Sequence, residues 1–444
     1  MTTTYHCELA WLPPGRVARD VLIEVDGDRI VTVTEDAPTT GERLRGLVLP
    51  GLANAHSHAF HRALRGQAQA ATPGGSFWTW RDHMYAVAER LDPDTYLALA
   101  RATYAEMVLA GVTCVGEFHY LHHRPDGGRY DDPNAMGLAL VQAAREAGLR
   151  IALLDTCYLA GGIGSPLSGV QRRFGDGDAA GWAERADALR AALSGASDVV
   201  VGAAVHSVRA VPADQIAEVA AWASGAAPAP VHCHLSEQPA ENEQCLAAYG
   251  VSPTRLLHDH GVLGPRTTAV HATHLGDEEV ALLGASATYT CLCPSTERDL
   301  ADGIGPARLL RDAGSPITLG SDSHAVIDLF EEARAVELDE RLASGVRGTF
   351  STGQLLDAAT IAGHASLGFP DAGRLAPGAS ADLVAVRLDS VRTAGGTPDT
   401  AADRVVFAAT AGDVTDVVAS GRRVVESGRH VLGDIARLLA DAIG

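Results

Sequence analysis

Positive charge is scarce in this chain. Thirty-five Lys and Arg stand against 55 Asp and Glu in 444 residues, a formal charge of −20. Nucleic acid and anionic membranes are bound through basic patches, so neither is expected as a partner. An anionic small molecule is not excluded, because a few local arginines reverse the field inside a cleft. No stretch reaches the roughly 18 consecutive apolar residues of a membrane-spanning helix. The opening MTTTYHCELAWLPPGR lacks a basic start followed by an apolar run, so no signal peptide is expected. Cysteine is sparse and odd in number: Cys7, Cys114, Cys157, Cys233, Cys245, Cys291 and Cys293. Most lie in apolar runs such as VTCVGEF and TYTCLCP, which reads as reduced, buried thiols of a cytoplasmic protein. Cys291-x-Cys293 has no second pair and is a weak metal motif. The Gly-rich stretch 161–181, GGIGSPLSGVQRRFGDGDAAG, holds neither GKS/T nor GxGxxG and reads as a loop. With no Walker-type lysine and no paired Asp/Glu motif for Mg²⁺, phosphate chemistry is not indicated.

What is present is an ordinary globular balance, 46% hydrophobic and 20% charged, at a length suited to one large domain plus an accessory piece. Near the start, VLIEVDGDRIVTVTED alternates apolar and polar residues around Asp26-Gly27, a hairpin signal. GRLAPGASADLVAVRLD and DVTDVVASGRRVVESGR near the other end look similar. The middle repeats a helix, a turn and a short apolar strand. In DPDTYLALARATYAEMVLAGVTCVGEF, Asp92 is a candidate N-cap, Pro93 suits the first helical position, and Gly111 can end the helix before a β-branched strand. Eight such strands are expected, ending near His56, Glu117, Asp155, His206, His234, His271, Cys293 and Asp322. The expected fold is therefore α/β: a TIM-like (β/α)₈ barrel over residues 48–372, with a small β-sandwich domain built from residues 1–47 and 373–444. The Gly-rich loop would lie over the barrel mouth.

The strands turn polar at their C-terminal ends, in NAHSH, GEFHY, AVHSVR, VHCHLSE, VHATHL and LGSDSH. Barrel enzymes of this kind carry their sites at that face. A single strand-end histidine is most simply a hydrogen-bonded structural residue. Convergence from six strands is not explained that way. His56 and His58 are two apart on a strand, so both imidazoles point to one side and can reach one ion. Three histidines and a carboxylate suit Zn²⁺ or Fe²⁺ and leave a position open for water.

PGLANAHSHAFHRALRG, the HxxE of HLSEQ, VHATHL and GSDSH together resemble the amidohydrolase superfamily, in its one-metal deaminase-like branch. GRLAPGASADLVAV is similar to that superfamily's β-sandwich. FWTWRDHMY, EFHYLHH, HSVRAV and CPSTERDLADG narrow the resemblance to the members that deiminate N-formimino-L-glutamate in histidine degradation. The resemblance implies one divalent metal, Zn²⁺ with Fe²⁺ as the alternative, held by His56, His58, His234 and Asp322. His234 is preferred over His232 because it is spaced as ligand-plus-acid with Glu237. It implies catalytic roles for Glu237 (proton shuttle), His271 (polarising group, preferred over His274) and Asp322 (proton acceptor). It implies a small dianionic, amino-acid-derived substrate contacted by His61, Arg81, Tyr120, His206 and Arg209, since arginine matches a carboxylate bidentately. His61 stands where members of that family carry Gln. Trp78 and Trp80 are expected to pack near the mouth. His119, His122 and His123 are expected to line the mouth or be solvated, with no assigned role. A homodimer is also implied. The alternative expectation is another amidohydrolase deaminase acting on a purine, pyrimidine or guanidino compound.

Overall fold

The computed structural model describes residues 2–69 and 77–444. Strands β1 (Thr2–Leu12), β2 (Arg16–Asp26), β3 (Arg29–Thr34) and β4 (Glu42–Pro50) come first. The next eight are β5 (Leu52–Ser57), β6 (Val112–His119), β7 (Arg150–Cys157), β8 (Val199–Val205), β9 (Val231–Leu235), β10 (Thr267–His271), β11 (Tyr289–Leu292) and β12 (Ile317–Leu319). They lie side by side in chain order in one sheet, and every neighbouring pair is parallel. Each ends within three residues of the position expected from sequence. Strands of such a sheet are covered on both faces, which is why β6 and β7 are buried along their whole length.

Helices join the strands, beginning with α1 (Phe77–Arg90) and α2 (Pro93–Leu109). The ends of α2 follow local chemistry. Asp92 accepts from the Thr95 amide at 2.9 Å, Pro93 fills the first helical position, and Gly111 turns the chain at φ +91 into β6.

The sheet closes where β5 meets the chain beyond β12. The Asp322 amide donates to the His56 carbonyl (3.0 Å) and the His58 amide to the Asp322 carbonyl (3.4 Å). Buried side chains seal the seam. Asn54 exchanges hydrogen bonds with Ser321 (2.7 and 2.9 Å), and His324 bridges Ser321 Oγ (2.9 Å) and Ser57 Oγ (3.1 Å). Closure thus sets the His56/His58 pair beside Asp322, from the opposite end of the barrel sequence.

The chain ends form a second eight-stranded sheet, in the order β16-β15-β14-β13-β4-β1-β2-β3. Its last four strands in sequence are β13 (Leu383–Val386), β14 (Val414–Ala419), β15 (Arg422–Glu426) and β16 (Arg429–His430). Tyr5, Cys7, Val21, Ile23, Leu44 and Leu383 belong to a core of its own, separate from the barrel's. The passage from β4 to β5 needs glycine at position 51: a Cβ there would sit 2.1 Å from Thr113 Oγ1. The C-terminal stretch holds more than strands. Helices Ala401–Ala408 and Ile435–Ile443 pack on the helix Leu329–Ser344 and on α2 respectively, burying the apolar faces of short amphipathic segments. All seven cysteines are buried and unbridged. Among the described residues no helix is long and apolar enough to cross a membrane.

Candidate metal centre and active site

The ring nitrogens of His56, His58 and His234 and a carboxylate oxygen of Asp322 converge at the C-terminal ends of the strands, all within 4.8 Å of one another. His56 Nε2 lies 3.1 Å from His234 Nε2 and 3.3 Å from Asp322 Oδ1; His58 Nε2 lies 3.4 Å from the same oxygen. The other ring nitrogens settle the tautomers of His58 and His234. His58 Nδ1 donates to the Phe118 carbonyl (2.9 Å) and His234 Nδ1 to the His206 carbonyl (3.0 Å). A carbonyl only accepts, so the protons sit on Nδ1 and bare Nε2 lone pairs face the carboxylate. Burial keeps these rings neutral, pushing His58 down to about 3. Lone pairs and an anion pressed together in a dry site repel unless a cation lies between them. Zn–N bonds of about 2.0–2.1 Å in a tetrahedron put neighbouring donors about 3.3–3.4 Å apart, so the residues fit a small divalent metal. His232, two residues earlier on β9, turns away toward the Ser366 carbonyl (3.5 Å).

His271 sits beside this cluster. Its Nδ1 is 3.3 Å from Glu297, and its Nε2 is 3.8 Å from both Glu237 and Asp322. Burial works against a charge there. The carboxylates of Glu237, Glu297 and Asp322 outweigh it and hold the imidazole well above its ordinary pKa, as a cation. Burial raises the Glu237 carboxyl, while the charges of His271 and Arg209 beside it pull the other way. The backbone is strained at these strand ends. Ser236 (φ +49), His271 (φ +68), Ala272 (φ +51), Asp322 (φ +41) and His324 (φ +57) all occupy the left-handed region without being glycine, a pattern associated with functional sites.

One cavity joins the metal cluster to the residues expected to bind substrate: His61, Arg81, Tyr120, His206 and Arg209 all line it with His58, His234, Glu237, His271 and Asp322. Arg209 donates from Nε to the buried Glu241 (2.8 Å) and from Nη2 to Glu237 (3.3 Å). His61 is buried, 3.1 Å from the Tyr120 hydroxyl and edge-on to Trp80. Trp80 lines the cavity wall, whereas the side chain of Trp78 lies outside the described residues. His274 is absent from the lining; its amide donates to the Ser236 carbonyl (3.0 Å).

Some strand-end residues play parts that sequence spacing did not indicate. Glu117 does not face the cavity. It accepts from the Ser57 hydroxyl and the Ala59 amide, both 2.7 Å, and so brackets His58 from behind; burial raises its carboxyl to about 7. His119, His122 and His123 neither line the mouth nor meet solvent. All three are buried, because their strand runs on under the loop that follows β7. Tyr85, Tyr158 and Phe174 line the cavity and Glu241 orients Arg209; Tyr85 closes the string FWTWRDHMY without a role of its own, and no motif marked the other three. Glu297 lay in the quoted CPSTERDLADG without a role of its own.

The same segment supplies a pH-dependent element. Glu332 is fully buried and accepts from the Ser295 amide (2.9 Å) and hydroxyl; burial raises its carboxyl to about 8. A raised folded value means that the unfolded chain releases this proton first. The resulting stability loss is absent below about pH 4.3 and grows as pH rises toward 8. Glu332→Gln keeps one acceptor and one donor in the same shape and removes the titration. Its melting temperature is expected to exceed the wild type's by several degrees at pH 8, with the gap closing near pH 4.5. Identical gaps at both pH values would show that Glu332 is ionised in the fold.

A purely structural barrel has no need of such convergent lone pairs; this is a barrel metalloenzyme. More narrowly, the chain belongs to the amidohydrolase family, whose description matches residues 47–424. It is 40% identical to a formimidoylglutamate deiminase of Pseudomonas aeruginosa over 95% of this chain and 94% of that one. An 8-oxoguanine deaminase of the same species is 32% identical over 79% and 76% of the two chains. The crystal structure of an amidohydrolase from Brucella melitensis superposes with a TM-score of 0.91 at 35% identity, covering 100% of this chain and 99% of that one. An adenosine deaminase from Xanthomonas campestris with bound zinc shares the fold at 23% identity, TM-score 0.84, over 99% and 96% of the two chains.

Proposed function

We propose that this enzyme hydrolyses N-formimino-L-glutamate to N-formyl-L-glutamate and ammonia. The observation that carries the reading is two arginines, Arg81 and Arg209, lining one cavity with the metal cluster. Two carboxylates entering a largely buried pocket need cationic partners, and the guanidinium fork supplies them. The likeness to the P. aeruginosa deiminase supports the same substrate.

His56, His58, His234 and Asp322 would hold the metal, which we take to be Zn²⁺, with Fe²⁺ as the alternative on the same ligands. When bound, such an ion supplies Lewis acidity that lowers the pKa of water from about 15.7 toward 7. The remaining work falls to side chains. Arg81 and Arg209, with Tyr120, His206 and His61, orient the amidine carbon toward the metal cluster. Asp322 accepts a proton from the attacking water. His271, cationic among its three carboxylates, stabilises the oxygen as the tetrahedral centre forms. Glu237 takes the hydroxyl proton of the tetrahedral centre and hands it to the terminal nitrogen as the C–N bond breaks and C=O forms. Ammonia leaves and the formamide remains.

The aromatic lining of Trp80, Tyr85, Tyr120, Tyr158 and Phe174 favours a second reading, a deaminase of a flat heterocycle. An ammonia-release screen over formimino, guanidino, purine and pyrimidine compounds separates the two. Turnover of N-formimino-L-glutamate above the others is expected. Heterocycle turnover with none of the formimino compound would overturn the first reading. The homodimer implied by the family is checked by light scattering on the purified enzyme.

A further inference from the structure

The loop between β7 and the helix Ala179–Ala192 carries no motif, yet it ties the outer wall of the cavity to the barrel. Arg173 within it is fully buried. Its guanidinium donates to the carbonyls of Ala88 and of Leu91 (2.6 Å) at the end of α1, and to the His123 carbonyl (2.8 Å). The last carbonyls of a helix have no partners within it, and a cation there also suits the helix dipole. Arg173's own carbonyl accepts from the amides of His122 (3.1 Å) and His123 (2.9 Å). Two residues earlier, Gln171 donates to the hydroxyls of Tyr85 (3.0 Å) and Tyr158 (3.4 Å) and accepts from the Ser168 amide (3.1 Å). Tyr85 lies one turn along α1 from Arg81, whose guanidinium lies over the Tyr85 ring, 5.5 Å from its centre.

The base of the loop is anchored in turn. The side chain of Asp176 is buried, 3.1 Å from His123 and 2.9 Å from Arg185, and Arg185 is 2.7 Å from Asp155 on β7. A continuous line of polar contacts, most of them buried, thus runs from the barrel strands through the loop and into α1. It ends at the arginine that the substrate reading needs on that wall. This gives His122 and His123 of EFHYLHH a place: they hold the loop.

We propose that Gln171 and Arg173 are positioning residues for substrate binding. They lock α1 over the cavity and so set where Arg81 meets a substrate carboxylate. The proposal rests on the dicarboxylate reading above. Neither residue lines the cavity or touches the metal cluster, so loss of either should loosen substrate binding and leave the chemical step alone. Misplacing a binding group by about 1 Å can cost up to about 10²-fold.

The test uses purified, metal-loaded enzyme and steady-state ammonia release. Gln171→Leu keeps the approximate volume and removes the donor. We expect KM for N-formimino-L-glutamate to rise about 10-fold, with kcat held within about 2-fold. Tyr85→Phe should raise KM similarly, and the double variant should be no worse than the worse single one, because both remove the same link. N-formiminoglycine, with one carboxylate, should lose less than the two-carboxylate substrate. Arg173→Lys keeps the charge without the fork and is expected to raise KM as well; should it not fold, Gln171→Leu decides. An unchanged KM in Gln171→Leu, or additive effects in the double variant, overturns the proposal while the substrate reading stands. Absence of turnover by the wild type overturns both.

Discussion

Asp322→Asn lowers kcat by about 10³-fold while the chain stays folded. Asparagine has nearly the same shape and can still sit at the barrel seam, where the backbone of Asp322 pairs with His56 and His58. It cannot do two things that the carboxylate does. It offers no negative charge to balance a divalent cation beside His56 (3.3 Å) and His58 (3.4 Å), and it cannot take the proton of the attacking water. Loss of a general base alone is worth about 10²–10⁴-fold, and weaker metal retention adds to it. Ammonia release and metal content by elemental analysis, measured on the same preparation, check this. Near wild-type kcat with a full complement of metal would remove Asp322 from the mechanism.

Arg209→Met separates the substrate readings. Arg209 is half-buried, bonded to Glu241 at 2.8 Å and to Glu237 at 3.3 Å. If it also meets a substrate carboxylate, its loss leaves that carboxylate and Glu241 without their cationic partner in a dry site. Truncating one member of such a buried pair costs roughly 2–5 kcal/mol. A loss near the upper end corresponds to kcat/KM down by about 10³-fold at 1.36 kcal/mol per factor of ten. Arg209→Lys should lose less, retaining charge without the fork. Arg209→Met/Glu241→Gln, which removes the stranded carboxylate, controls for a folding defect. A heterocycle deaminase would not need this arginine, and turnover largely intact in Arg209→Met would favour that reading.

The legibility of the sequence follows the range of the forces involved. The barrel was readable because each β/α unit is encoded locally. Asp92, Pro93 and Gly111 bound one helix through contacts with near neighbours, and they do so in the fold. His56 and His58 were readable as a pair because strand periodicity alone sends alternate side chains to one face. The choice between His232 and His234 was not open to periodicity, since the two share that same spacing. It came from likeness to a family, and the structure separates them by their partners, the Ser366 carbonyl for one and His56 for the other. Glu117 shows the limit of strand-end reasoning. Its position was right, but its carboxylate is used on the Ser57 hydroxyl and the Ala59 amide on either side of His58, and nothing local indicated which way it would face.

By itself the sequence determined the class of fold, an excess of acidic over basic residues, and the residue types able to hold a metal. Those properties depend on composition and on patterns a few residues long. Only the tertiary structure decided what depends on contacts between distant segments. It brought Asp322 against His56 across the barrel seam, buried His119, His122 and His123 beneath a loop, and joined Gln171 to Tyr85 across 86 positions of chain. Such contacts carry no periodic signature, because each is a single meeting of two side chains whose approach is set by how the whole barrel closes.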